Sequence, residues 1–154
     1  MRGISFEIPN MYGRFLGDIL KRFDMDKYNW RIGGEEAYRI ANGTLGDALF
    51  PEPIDSMDGG TLKSIVENND YYIIFQDLKA FPKGKDTIEI KTYEEYLVSD
   101  CELVLLVIDS VYVAIYCKDR RVTEYIYGIS INMGYTKVKY ITDENDFRTR
   151  LTVW

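Results

Sequence analysis

The amino-acid sequence predicts an α+β fold: one domain over 1–154, with a largely antiparallel or mixed β-sheet packed with about four helices. Three observations carry that expectation. Alternation of apolar and polar residues with a period of two recurs along the chain, the pattern of half-buried strands. Most neighbouring strand-like segments are joined by short turn sequences rather than by crossover helices, which favours hairpins over parallel βαβ units. Four stretches place apolar residues at helical spacing behind a residue able to cap a helix. A length of 154 residues suits a single domain of roughly 100–200 residues.

The elements follow in order. Ile4, Phe6 and Ile8 alternate with Ser5 and Glu7, predicting a first strand ended by Pro9-Asn10. Met11, Tyr12, Phe15, Leu16, Ile19, Leu20 and Phe23 form one stripe, predicting an amphipathic helix weakened by Gly13 and Gly17. Tyr28, Trp30 and Ile32 predict a strand, Gly33-Gly34 a turn, and Ala37, Tyr38 and Ile40 a returning strand before Asn42-Gly43. From Gly46 to Gly60 there are prolines, acids and little periodicity, predicting an exposed loop. Asp58 or Thr61 opens a short helix with Leu62, Ile65 and Val66 inward.

Tyr71 to Phe75 reads as a central strand, and Thr87 to Lys91 as a short alternating one. Thr92-Tyr93-Glu94-Glu95 has the form of a capping box at the start of a brief helix. Glu102 to Ile108 and Val111 to Cys117 are the strongest strand signals, joined through Asp109-Ser110 as an antiparallel hairpin. Asp119 caps a helix with Val122, Tyr125, Ile126, Ile129 and Met133 on one side and Gly134 at its end. Thr136 to Ile141 alternates again, and a polar turn leads to a terminal strand-like segment from Arg148.

Charge and missing residues narrow the function. The chain has 25 acidic and 19 basic residues, a net charge of −6. From Glu35 to Asp77 nine acids face two bases, whereas Lys118 to Trp154 carries a net charge of +2. An acidic surface repels phosphate backbones, so nucleic acid and anionic membranes are disfavoured partners. Histidine is absent, which removes Ser-His-Asp and Cys-His machinery and the usual general base near neutral pH. Cys101 and Cys117 lack a C-x-x-C pattern and read as buried reduced thiols, with a cross-strand disulfide as the alternative. No cofactor pattern occurs. The start of the chain lacks the apolar stretch of a signal peptide, so the cytoplasm is the expected location.

The segments Arg2-Gly3-Ile4-Ser5-Phe6-Glu7-Ile8-Pro9-Asn10, Ser99-Asp100-Cys101-Glu102 and Thr142-Asp143-Glu144-Asn145-Asp146-Phe147-Arg148-Thr149-Arg150 resemble a Bacillus family of small proteins of unknown function. The resemblance implies a bacterial cytoplasmic origin and no mechanism.

Candidate sites follow from residue chemistry. Asp77 followed by Glu89-Ile90-Lys91 resembles a metal-dependent nuclease arrangement, in which two carboxylates hold a divalent ion and lysine stabilises developing charge. A solvated strand with a Glu–Lys pair explains the same residues. Asp143 and Asp146 lie in an oxygen-rich turn able to attract a cation, but the turn lacks the glycine and distant glutamate of an EF-hand; Arg148 and Arg150 are near enough to pair with them. Asp55, Asp58 and Gly59-Gly60 match a helix entry better than a phosphate loop. With 13 tyrosines, the chain is well supplied for binding surfaces. Tyr38, Phe50, Tyr71 and Tyr72 are candidates to face solvent beside the acids, and Glu52, Asp55, Asp58, Phe50 and Tyr38 make up the expected partner-binding patch. The expected function is an acidic, non-enzymatic protein-binding module for a basic partner, of the toxin-neutralising kind, with a hydrolase using Asp77, Glu89 and Lys91 as the alternative.

Overall fold

Strands dominate, as the alternating pattern requires. The computed structural model of the chain describes residues 1–51 and 55–153, and of Glu35 the backbone alone. The elements are β1 Gly3–Glu7, α1 Phe15–Ile19, a 3-10 turn Met25–Lys27, β2 Tyr28–Ala41, β3 Thr44–Ala48, β4 Ser56–Asp58, α2 Gly59–Asn68, β5 Tyr71–Pro82, α3 Tyr93–Val98, β6 Leu103–Ile108, β7 Tyr112–Cys117, α4 Arg120–Asn132 and β8 Thr136–Ile141. The fold class is α+β. Among the described residues, eight strands form one sheet in the order β3-β2-β5-β6-β7-β1-β8, with β4 also paired to β2. Every pairing is antiparallel.

The sheet has two unequal faces. On the first, Phe15, Leu16 and Ile19 of α1, Leu62 and Val66 of α2, and Ile126 of α4 pack on Ile4, Phe6, Leu78, Leu105, Val113 and Ile115. On the second, a smaller core gathers Val104, Leu106, Ala114 and Tyr116 beneath Ile90, Tyr96, Leu151 and Val153. This explains why β6 is a continuous apolar run: both of its faces are covered, and side chains alternate between two cores. Each fully buried aliphatic or aromatic side chain contributes about 1.5–3 kcal/mol relative to exposure.

Local chemistry sets the ends of the elements. Asn42 (φ 53°) and Gly43 (φ 76°), and Asp109 (φ 51°) and Ser110 (φ 67°), occupy the left-handed region, as two-residue hairpin turns need. Asp58 accepts from Gly60 N at 2.9 Å and Asp119 from Arg121 N at 2.9 Å, capping α2 and α4. Thr92 caps α3 by accepting from Glu95 N at 3.2 Å, but Glu95 Oε2 accepts from Lys91 N rather than from Thr92. The capping box is therefore half formed.

Several expectations fail for identifiable reasons. The first helix begins only at Phe15, because Gly13 exchanges two backbone bonds of 3.0 Å with Tyr71 and is held extended; Met11 and Tyr12 stay outside. Gly33-Gly34 is no turn. Register shifts there and Gly34 at φ +76° mark an irregularity inside one long strand, so the two expected strands are both β2. Thr87 to Lys91 is irregular, Gly46 to Gly60 contains the end of β3 and all of β4, and the described residues from Arg148 onward, 148–153, form no strand. In α4 the buried stripe is Thr123, Ile126 and Ser130, leaving Tyr125 and Met133 exposed.

Candidate functional site: the second face of the sheet

Alternation along β5 sends Asp77 and Lys79 to the second face, the same side as Phe81. Lys79 Nζ donates to both Asp77 oxygens, at 2.6 and 2.8 Å, and the two side chains are only 5% and 10% exposed. Burial raises the Asp77 pKa above the usual carboxylate range, against the opposing pull of Lys79 and Arg31. A cleft of about 180 Å³ beside this pair is lined by Arg31, Gly33, Asp77, Lys79, Glu89 and Thr152. Arg31 Nη1 donates to the Thr87 carbonyl at 3.3 Å, on the segment that carries Glu89.

Asp77 and Glu89, the two carboxylates of the hydrolase reading, thus line one cleft. The rest of that reading departs from the geometry. Both Asp77 oxygens hold a lysine absent from the expected set, and Lys91 stands at the exposed surface, 3.9 Å from Glu89. No group of three or more Cys, Asp or Glu side chains suited to hold a metal ion occurs among the described residues. Within the cleft Lys79 answers Asp77, and Glu89 has Lys91 beside it at 3.9 Å.

The Asp143–Asp146 turn is stapled from a distance. Arg2 Nε donates to Asp143 at 2.8 Å and Arg2 Nη1 to Asp146 at 3.2 Å, while the Arg2 guanidinium lies 4.0 Å from the centre of the Tyr93 ring. Tyr116 OH donates to the Asp146 carboxylate, 3.2 and 3.1 Å from its two oxygens. The hydrogen bond from Arg2 lowers the Asp143 pKa. The expected partners Arg148 and Arg150 do not pair with these acids through their side chains, because the chain start supplies the cation instead. Asp146, buried against Arg2 and Tyr116, ties the residues ahead of β1 to β7, while Asp143 pairs with Arg2 and stays 77% exposed.

The expected partner patch is divided. Asp58 lies opposite Asn29 on β2, whereas Tyr38 is nine residues further along, about 30 Å of strand. Asp58 pairs with Lys83 at 3.0 Å, and that lysine is the main cause of its lowered pKa. Asp55 is exposed. Phe50 is 3% exposed and Tyr71 is fully buried, since both fill the first core; neither meets a partner. Glu52 lies outside the described residues. Tyr38 pairs with Tyr72 across β2 and β5, and both are half-buried.

What the sequence reading missed lies beside that tyrosine pair. Met11 (57% exposed), Tyr12 (48%) and Leu45 (55%) surround Ile40 and Tyr72 in a shallow apolar depression. Leu45 pairs with Ile40 in the hairpin built on Asn42-Gly43. An apolar residue two positions after such a turn, on an outer strand, was the available signal. The cysteines sit in different cores, Cys117 in the first and Cys101 in the second, and are free thiols. Burial pushes Cys101 up to about 12 and Cys117 up to about 11, so neither is a ready nucleophile.

No helix among the described residues is long and apolar enough to cross a membrane. No solved structure matches the chain at a significant level. An uncharacterised protein of Bacillus subtilis (strain 168), YncE, is 44% identical over 152 residues, which is 99% of each chain. A family model described as protein of unknown function, DUF2691, matches residues 1–152. The chain belongs to the DUF2691 family of unknown function.

Proposed function

We propose that the chain is a non-enzymatic protein-binding module of the bacterial cytoplasm that docks a basic partner protein. The supporting observation is the exposed apolar corner of Met11, Tyr12 and Leu45 beside Ile40 and Tyr72. Side chains of this size left in water at one place, next to a pair of tyrosines, have the make-up of an interface core. The net charge of −6 would steer a positively charged partner toward the surface and exclude acidic ones. Neutralising a toxin by covering its basic face is the role of this kind that the charge suits, by analogy with immunity proteins.

The test is capture on the immobilised full-length protein from an extract of the native host, comparing wild type with Leu45→Glu. The reading expects a basic protein to be retained by wild type, released by salt and lost with Leu45→Glu. Equal retention by both, or retention of nothing basic, would contradict it.

A further inference from the structure

We propose that the outer corner of the second face, between β1, β7 and β8, binds a small phosphate monoester that carries a planar ring. A depression of about 300 Å³ there is lined by Ser5, Glu7, Tyr112, Lys137, Lys139 and Arg148. Its size falls at the lower end of small-molecule sites. Strand pairing assembles it: Ser5 lies opposite Lys139 and Glu7 opposite Tyr112, so alternation brings these side chains to one face.

The charges decide the ligand class. Lys137 is engaged, its Nζ 3.0 Å from Glu7. Lys139 and Arg148 form no ion pair among the described residues. The nearest acid in sequence, Asp146, is already held by Arg2 and Tyr116. In a chain with 25 acids and 19 bases, two cations with no ion pair among the described residues line one depression beside the Lys137–Glu7 pair, and Arg148 is half-buried there. Taking a guanidinium partly out of water without a partner is costly, and a bound anion removes that cost. Two cations match a dianion. A phosphomonoester carries about −1.5 to −2 at neutral pH, and its oxygens suit the fork of an arginine.

The remainder of the surface fits the organic part. Ile108 and Ala114 contribute apolar lining, and Tyr112 is 54% exposed, its ring placed to stack on a planar group. The excess of bases after Lys118 becomes intelligible here, since Lys137, Lys139 and Arg148 all come from that segment. A long phosphate backbone remains disfavoured, because the rest of the molecule repels it. This site is separate from the apolar corner of Met11, Tyr12 and Leu45, and stands or falls without it.

Phenyl phosphate titrated into the isotope-labelled full-length protein, followed by amide shifts, tests the assignment. The expected result is saturable movement of Ser5, Tyr112, Lys139 and Arg148 signals, with weaker binding of inorganic phosphate and none of phenol. Arg148→Ala should weaken binding at least about tenfold, the usual loss for a charge-assisted contact, and Lys139→Ala severalfold, while the remote Lys63→Ala leaves it unchanged. Far-ultraviolet circular dichroism of each variant separates lost binding from lost folding. The proposal is overturned if phenyl phosphate produces no saturable shifts, if folded Arg148→Ala and Lys139→Ala bind it as well as wild type, or if inorganic phosphate binds equally tightly. Sedimentation with phosphatidic acid vesicles that depends on Arg148 would place the phosphate on a lipid surface and overturn the small-molecule assignment.

Discussion

Two parts of the second sheet face carry comparable side chains and treat them in opposite ways. Under α3 and the last segment, the cations Lys79 and Arg2 are matched at hydrogen-bond distance to Asp77, Asp143 and Asp146. Toward the Asp109-Ser110 turn the sheet is open. There Lys139 and Arg148 form no ion pair among the described residues, and Tyr112 is exposed. The apolar corner at Leu45, at the opposite edge of the sheet, is exposed as well. The contrast separates charges that hold the fold from charges available to something else. Composition alone cannot separate them, since each group is simply a cation near acids in the sequence.

The largest expected effect breaks the covered side. Lys79→Ala leaves a buried carboxylate without its cation and should cost about 3–5 kcal/mol at neutral pH, measured by urea unfolding. Burial already raises the Asp77 pKa in the folded state, so its contribution favours folding in acid and is lost as pH rises through the raised value. Without Lys79 the pKa rises further. The deficit should therefore be greatest near neutrality and shrink as acid protonates Asp77. Replacing both members by apolar residues, Asp77→Leu with Lys79→Met, should recover most of it.

A smaller loss, about 1.5–3 kcal/mol, is expected for Tyr116→Phe, which removes a hydrogen bond to the buried Asp146 carboxylate. Gly34→Ala should cost at least about 1 kcal/mol, since the residue lies at φ +76° and an added Cβ would come within 2.6 Å of Val153 Cγ2. Restoration of stability by Val153→Ala would assign part of that loss to the contact with the last segment. Smallest is the thiol chemistry: both cysteines should resist a disulfide reagent until the chain unfolds, because the folded thiols are buried and titrate at about 11 and 12.

Much of this architecture is legible in the chain. The hairpin from Leu103 to Cys117, the caps at Asp58, Thr92 and Asp119, and the alternation of β1 and β8 all follow from local rules that tertiary contacts leave intact. Gly33-Gly34 misleads because a glycine pair serves a turn and a strand irregularity equally well; the choice depends on whether β5 continues past Phe75, which is not local. Met11 and Tyr12 mislead because the bridge between Gly13 and Tyr71 overrides their helical spacing. Of the candidate cleft, Asp77 and Glu89 were readable. Lys79 was readable too, since Asp-x-Lys in a strand places both charges on one face. The open corner was not, because Ser5, Tyr112 and Lys139 come from three separated segments that only strand pairing joins.

Stability sorts the two parts of the face most directly. Thermal unfolding of the Leu45→Ser, Lys139→Ala double variant, measured beside Lys79→Ala, compares side chains kept for an outside partner with one that holds the fold. The double variant should stay within about 1 kcal/mol of wild type, as exposed substitutions do, while Lys79→Ala melts far lower. A double variant that falls as far as Lys79→Ala would contradict the account, because its side chains would then be part of what keeps the sheet folded.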